Sequence, residues 1–168
     1  MIKEVAGDIL LSKATLIAHG VAPNDDFHAG LALALRERWP GMYKDFRHYC
    51  QTTTPSPGSL WTWGGPEGMR ICCLLTQDGA LGHHGGKPGR ASLANVGHAL
   101  KALRKEVEHL GFTSVALPRL ATGVGGLAWE DVLPLIHENL STKALDVFVY
   151  STYHPGIAAI EPIRKRMT

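Results

Sequence analysis

The chain has 168 residues, 45% apolar and 19% charged, with a formal net charge of +2 at pH 7. That length supports one domain with its own core, and no apolar run approaches the roughly eighteen residues of a membrane span. So small a positive charge is no electrostatic footprint for nucleic acid, and three cysteines with no CxxC pair argue against a disulfide framework or a cysteine zinc site.

Met1-Ile2-Lys3-Glu4 lacks the charged-then-apolar layout of a signal peptide, so a cytoplasmic, monomeric protein with no membrane attachment is expected. Residues 2–5 and 15–21 read as short strands flanking a Gly7-Asp8 turn. Leu31, Leu33 and Leu35 alternate as in a strand, yet the alanine and arginine content of 28–39 favours helix, with Pro40 as its stop. A second short helix is expected over 41–50, then a loop over 51–58, where four Thr/Ser and two Pro cluster.

Strands are expected at 59–63 and 70–76, where Cys72 and Cys73 read as buried thiols, as Cys50 does. The loop between 78 and 90 holds five glycines and His83-His84; two adjacent histidines without a third ligand at recognisable spacing make no metal site. The clearest helix follows. Ser92 can cap it, Leu93, Val96, Leu100, Leu103, Val107 and Leu110 recur every three or four residues, and Gly111 ends it. Strand 115–120, helix 129–140 (with Pro134 awkward beyond its first turn) and strand 146–152 complete the pattern. Strands separated by helices imply an α/β protein with a central sheet covered on both faces.

Residues 115–129 are the most informative stretch. An apolar run from Val115 to Leu120 enters a small-residue loop with Gly123, Gly125 and Gly126, and a helix opens near Trp129. A strand emptying into a glycine loop and a helix N-terminus suits phosphate, because backbone N–H groups can approach an anion and the helix dipole assists. The loops at 23–28, 77–90 and 121–126 all follow strands, so they are expected to share one cleft at the strand C-termini.

Three segments in order resemble the macro domain family, the ADP-ribose-binding α/β/α module. They are Gly7-Asp8-Ile9-Leu10, the run from Ala18-His19-Gly20 through Asn24-Asp25-Asp26-Phe27-His28-Ala29-Gly30, and Leu117-Pro118-Arg119 through Gly123-Val124-Gly125-Gly126-Leu127-Ala128-Trp129. The pattern is most similar to the branch of the terminal ADP-ribose protein glycohydrolase and the bacterial DNA ADP-ribosyl glycohydrolase antitoxins. The resemblance implies a three-layer α/β/α fold with a mixed, mostly parallel sheet. It covers roughly residues 1–150, giving one domain over 1–155 and a basic tail over 156–168 that includes Arg164-Lys165-Arg166.

It also implies roles by position. Asp8 would accept from the adenine amine and the Ile9 N–H would reach the ring. Asn24 through Ala29 and Gly30 would face the distal ribose beyond His19, and Thr122, Gly123, Val124, Gly125, Gly126 and Leu127 would line the diphosphate. Tyr150 and Tyr153 would wall the adenine. Plainer roles stand beside these: Asp8 as a turn cap, His19 as a packed strand residue, Trp129 as a core anchor, Tyr150 facing the core.

The branch's catalytic lysine corresponds to Gln77 here, and the protein-directed member's aspartate to Gly125, so the lysine–aspartate mechanism does not transfer. Asp25, Asp26 and His28 are the replacement catalysts expected, since a carboxylate or imidazole can activate water. His83, His84 and Lys87 form a possible lid. The activity expected is hydrolysis of an ADP-ribose linkage at C1″ on a protein or nucleic acid, without cofactor or metal. A non-catalytic ADP-ribose reader, an ADP-ribose 1″-phosphate phosphatase and, remotely, an unrelated nucleotide-binding α/β protein are the alternatives.

Overall fold

The computed structural model describes residues 1–79 and 89–163. Six strands form one sheet: β1 (Ile2–Gly7), β2 (Leu16–Val21), β3 (Leu60–Gly64), β4 (Arg70–Leu75), β5 (Ser114–Pro118) and β6 (Asp146–Tyr153). Their order is β1-β6-β5-β2-β4-β3, with β3 antiparallel to β4 and every other pair parallel. The sheet is therefore mixed and mostly parallel, as the family resemblance implies.

Two helical layers cover it. α3 (Leu93–Leu110) and α4 (Trp129–Leu140) bury Val96, Leu100, Leu103, Val132 and Ile136 against Leu16, Cys72, Leu74, Val115, Leu117 and Val147. On the other face α1 (Gly30–Arg38) and α2 (Pro40–Thr53) cover Ile71, Cys73 and Leu75 with Leu35, Met42 and Phe46. Adjacent Cys72 and Cys73 thus face opposite layers, as the two-residue period of a strand requires. All three cysteines are buried free thiols. Among the described residues no helix is long and apolar enough to cross a membrane.

Local signals hold where they are strong. Ser92 accepts the Asn95 N–H at 3.1 Å and Gly111 adopts φ +71°, so α3 begins and ends where its cap residues stand. Pro40 does more than stop α1: it opens α2 at the first helical position, where its missing N–H costs nothing. The expected loop at 51–58 starts late, because α2 runs on to Thr53 to bury Cys50. Pro134 stays inside α4. It leaves the Glu130 carbonyl without an intrahelical donor, and Glu130 sits on the exposed first turn where solvent reaches it. β5 ends at Pro118, two residues early, because the chain must turn into the glycine loop.

The stretch after 155 is not a solvated tail as far as residue 163. Gly156 donates to Asp8 Oδ2 at 2.9 Å and Ile157 accepts the Asp8 N–H at 2.7 Å. Glu161 then gathers three donors: Ser12 Oγ at 2.6 Å, Lys13 N–H at 2.8 Å and the Tyr150 hydroxyl at 2.7 Å. A Cβ on Gly7 would lie 2.6 Å from Ala159 N, so the strap presses directly on the β1 backbone. Arg164, Lys165 and Arg166 lie outside the described residues. Glu161→Ala leaves three donors without their charged acceptor and should cost about 1–3 kcal/mol, read from urea unfolding midpoints at constant slope.

Candidate functional site

The parallel strands end together, and their C-terminal loops enclose two adjoining chambers. One, of about 250 Å³, is bounded by the glycine loop at residues 123–125, by Gly30 to Ala32 at the start of α1, and by Asp25, His28, Gln77 and Arg119. The other, about 370 Å³, is walled by Ile9, Leu10, Leu31, Ala34, Tyr150 and Tyr153. Gly30, Leu31 and Pro118 line both, so the chambers meet there. The first is rich in polar backbone; the second is apolar and aromatic.

The glycine loop is built around Ala121, whose φ of +61° is left-handed and strained for a residue with a Cβ. That turn lets the Leu127 N–H reach the Ala121 carbonyl at 3.0 Å, while Gly126 N–H closes on Gly123 O at 3.1 Å and Ala91 N–H on Gly125 O at 3.1 Å. Thr122 Oγ1 donates to the Arg119 carbonyl at 3.1 Å. The backbone N–H groups of Thr122, Gly123, Val124 and Gly125 are left without partners among the described residues. Across the chamber α1 begins at Ala29 with no side-chain cap, so its first amides also lack acceptors. Two sets of orphan donors and a helix dipole make an anion receptor without a lysine.

The loop after β2 is held at several points. Phe27, fully buried at φ +52°, packs on Phe46, Tyr43 and His19 with ring centroids 5.1, 5.4 and 5.6 Å away. Asp25 accepts the Ala22 and Phe27 N–H groups at 3.0 and 2.9 Å. Burial pushes the Asp25 carboxyl up, against the opposing pull of those two backbone donors. Arg47 donates to the Asn24 carbonyl at 3.2 Å and Arg36 to the Asp26 carbonyl at 2.9 Å. Beyond this clamp the Asp26 carboxylate accepts from Nδ1 of His28, leaving Nε2 as the ring nitrogen without a partner among the described residues.

The structure sorts the sequence-derived site residues. His19, Asp25, His28, Ala29, Gly30, Gly123, Val124 and Gly125 line the polar chamber, and Ile9, Tyr150 and Tyr153 the apolar one. Asp26 stands behind His28, outside the lining. Asn24 is outside both linings; its N–H goes to Cys50 Sγ at 3.4 Å and its carbonyl accepts from Arg47. Both Asp8 oxygens accept backbone N–H groups, from Leu10 at 3.0 Å and Gly156 at 2.9 Å, so Asp8 serves as a cap outside both linings. Thr122 orders the loop through its hydroxyl and, with Gly126 and Leu127, lies outside the lining; the amides of the latter two are spent closing the loop. His83, His84 and Lys87 lie outside the described residues. Gln77 does reach the cleft, with Nε2 donating to Gly89 O at 3.0 Å. Among the residues missed are Leu31, Ala34 and Arg119; the first pair is a three-residue spacing on α1, and Arg119 stood inside the glycine-loop motif.

No family model matches the sequence. A DNA ADP-ribosyl glycohydrolase of Thermus aquaticus is 26% identical over 171 residues, 99% of this chain and 46% of that protein. An ADP-ribose 1″-phosphate phosphatase of Debaryomyces hansenii is 25% identical over 161 residues, 77% of this chain and 89% of that protein. The macrodomain of Thermus aquaticus DarG matches with a TM-score of 0.78 at 25% identity, over 90% of this chain and 98% of that structure. The chain has the macro-domain fold. It spans about half the length of the Thermus glycohydrolase.

In this fold the glycine loop has no room for an aspartate at position 125. A Cβ on Gly125 would meet Ala121 O at 2.6 Å and Ala91 Cβ at 2.9 Å. Gly123 is the opposite case, with nothing within 4 Å of its would-be Cβ.

His19 forms part of the floor as a neutral ring. It is buried, its Nε2 lies 3.4 Å from Cys73 Sγ, and burial holds its pKa down to about 4. In the unfolded chain a histidine titrates near about 6.5. Between those values the unfolded chain binds the proton and the folded one does not, so stability falls as pH drops through that window, by about 3 kcal/mol in full. His19→Gln should flatten the difference in unfolding free energy between pH 7 and pH 4 by that order. The Asp25 contribution has the opposite sign and is common to both proteins, so comparing their urea midpoints isolates His19.

Proposed function

We propose that this macro domain binds ADP-ribose across both chambers and hydrolyses a linkage at C1″ of its distal ribose. The observation that carries the reading is the pair of chambers itself: unpartnered backbone donors on two sides of a polar space, opening into an apolar aromatic one. Adenine fits between Tyr150, Tyr153 and Leu31, with the Ile9 N–H, unpartnered among the described residues, available to a ring nitrogen. The diphosphate spans the amides of residues 122–125 and the start of α1. The distal ribose then reaches His28, Asp25 and Gln77. Asp8 supports this layout by holding the Ile9 turn. Both relatives named above act, by their names, on ADP-ribose compounds, in agreement with a hydrolase.

Gln77 cannot attack C1″ as a lysine would, so the nucleophile is water. His28 is the general base, and Asp26 is its positioning residue, fixing the tautomer through Nδ1. The water oxygen bonds to C1″ as the bond from C1″ to the acceptor breaks. The bonding pair leaves with the acceptor, and the water proton passes to His28 Nε2 and on to the acceptor or solvent. Asp25, with both oxygens held by the backbone, shapes the loop and faces the developing positive charge at C1″ without moving a proton. A hydrolase is preferred over a reader because binding alone needs no His–Asp pair at the ribose end.

Mass spectrometry of freed ADP-ribose tests this, with ADP-ribosylated protein, ADP-ribosylated DNA and ADP-ribose 1″-phosphate as substrates. Release from one identifies the linkage; loss of phosphate from the last alone makes the protein a phosphatase. Binding without turnover of any leaves a reader. His28→Ala should lower kcat by about 100-fold or more while leaving ADP-ribose affinity within about twofold. Asp26→Asn should lower kcat less, at unchanged KM. Separately, Gly123→Glu meets no steric bar to folding, yet projects a carboxylate into the diphosphate position. Calorimetry should find ADP-ribose binding lost in a protein whose unfolding midpoint is unchanged; retained affinity would remove the glycine loop from the site.

A further inference from the structure

We infer that Arg119, held over Trp129, is the cationic clamp on the diphosphate and gives this macro domain its preference for diphosphate-bearing ligands. The inference rests on ADP-ribose occupying the two chambers as proposed above. Arg119 lines the polar chamber and is the next residue after Pro118, one of the three residues at which the two chambers meet. Whatever fills both chambers must thread its connecting group through that junction, and in ADP-ribose the connecting group is the diphosphate.

The charge pattern supports the same role. Among the described residues lining the polar chamber, Arg119 is the one lysine or arginine. His19 is neutral, Asp25 is a carboxyl, and every orphan amide is uncharged. A diphosphate carrying two negative charges would otherwise lie on neutral donors beside a carboxyl. No carboxylate pairs with Arg119 among the described residues. Its guanidinium carbon instead sits 5.6 Å from the Trp129 ring centroid, and Trp129 packs half-buried on the core. Stacking on an anchored indole restrains an exposed arginine before a ligand arrives, reducing the rotamer entropy that binding removes. The same residue's carbonyl accepts from Thr122, which ties its position to the loop that carries the amides.

Calorimetry of ADP-ribose, ADP and adenosine at low and high salt tests the clamp, using Arg119→Met, Arg119→Lys and Trp129→Leu. Methionine keeps the apolar stem and removes the charge. ADP-ribose and ADP should each weaken about tenfold in Arg119→Met at low salt, with adenosine unchanged and the loss shrinking at high salt. Arg119→Lys should recover part of the affinity. Trp129→Leu should lose a smaller share in the same two ligands. Equal loss for adenosine would place Arg119 in the adenosine wall instead, and a loss independent of salt would reduce it to loop architecture. Either overturns the clamp. Unchanged ADP-ribose affinity in Arg119→Met overturns it alone, whereas failure of the wild-type protein to bind ADP-ribose overturns the proposed function as well.

Discussion

The left-handed turn at Ala121 is the constraint on which the rest of the site depends. A strand in a parallel sheet must exit at its C-terminal end, and here ten residues separate the end of β5 at Pro118 from the start of α4 at Trp129. The turn at φ +61° reverses the chain so that Leu127 can close on the Ala121 carbonyl. Gly125 then lies against that same carbonyl, where a Cβ would not fit. The consequence is a loop whose carbonyls at 121 and 123 are used internally and whose carbonyl at 125 is taken by Ala91, while four consecutive amides have no partner among the described residues. Strain at one residue is exchanged for a fixed array of donors, a common arrangement at ligand clamps.

A second rigid loop faces the first. Asn24 and Phe27 are both left-handed, and the cost is offset by Phe27 burial, by two backbone N–H bonds to Asp25, and by Arg36 and Arg47 reaching carbonyls from α1 and α2. The Arg36 guanidinium also lies 4.1 Å from the Tyr43 ring centroid, which keeps it from solvent motion. Charged groups in this loop therefore differ by what surrounds them. Asp25 accepts a backbone donor on each oxygen and Asp26 is turned to His28. His19 beneath them is neutralised by burial, and His28 at the rim keeps solvent contact. Environment, not residue type, separates the structural members from those available for proton transfer.

The apolar chamber is framed from behind. Tyr150 on β6 is fixed through its hydroxyl to Glu161, where burial first and the carboxylate second hold the phenol well above its ordinary pKa. Glu161 also holds Ser12 and the Lys13 N–H, and Gly156 holds Asp8. The chain after β6 thus braces the wall of the proposed adenine site from behind, through Tyr150 and Asp8, although it adds no regular element to the sheet.

Much of this protein is legible in its sequence because the signals are local. Ser92 and Gly111 bound α3 through hydrogen bonds and backbone angles that involve only near neighbours. The glycine loop announces itself because only small residues tolerate a turn so close to its own carbonyls. What neighbours in sequence cannot reveal is where a side chain's second partner comes from. Asp8 takes one backbone donor from its own turn and a second from Gly156, 148 residues away. The Asn24 backbone takes both of its partners, Cys50 and Arg47, from α2. Arg119 looked like the end of a strand until Trp129 gave it a platform beside the cleft. The sequence by itself determined the elements, their order and the loop able to receive phosphate, because period, caps and glycines act within a few residues. Only the tertiary structure decided which polar groups remain unpartnered and face the cleft, because that depends on what distant segments have already claimed.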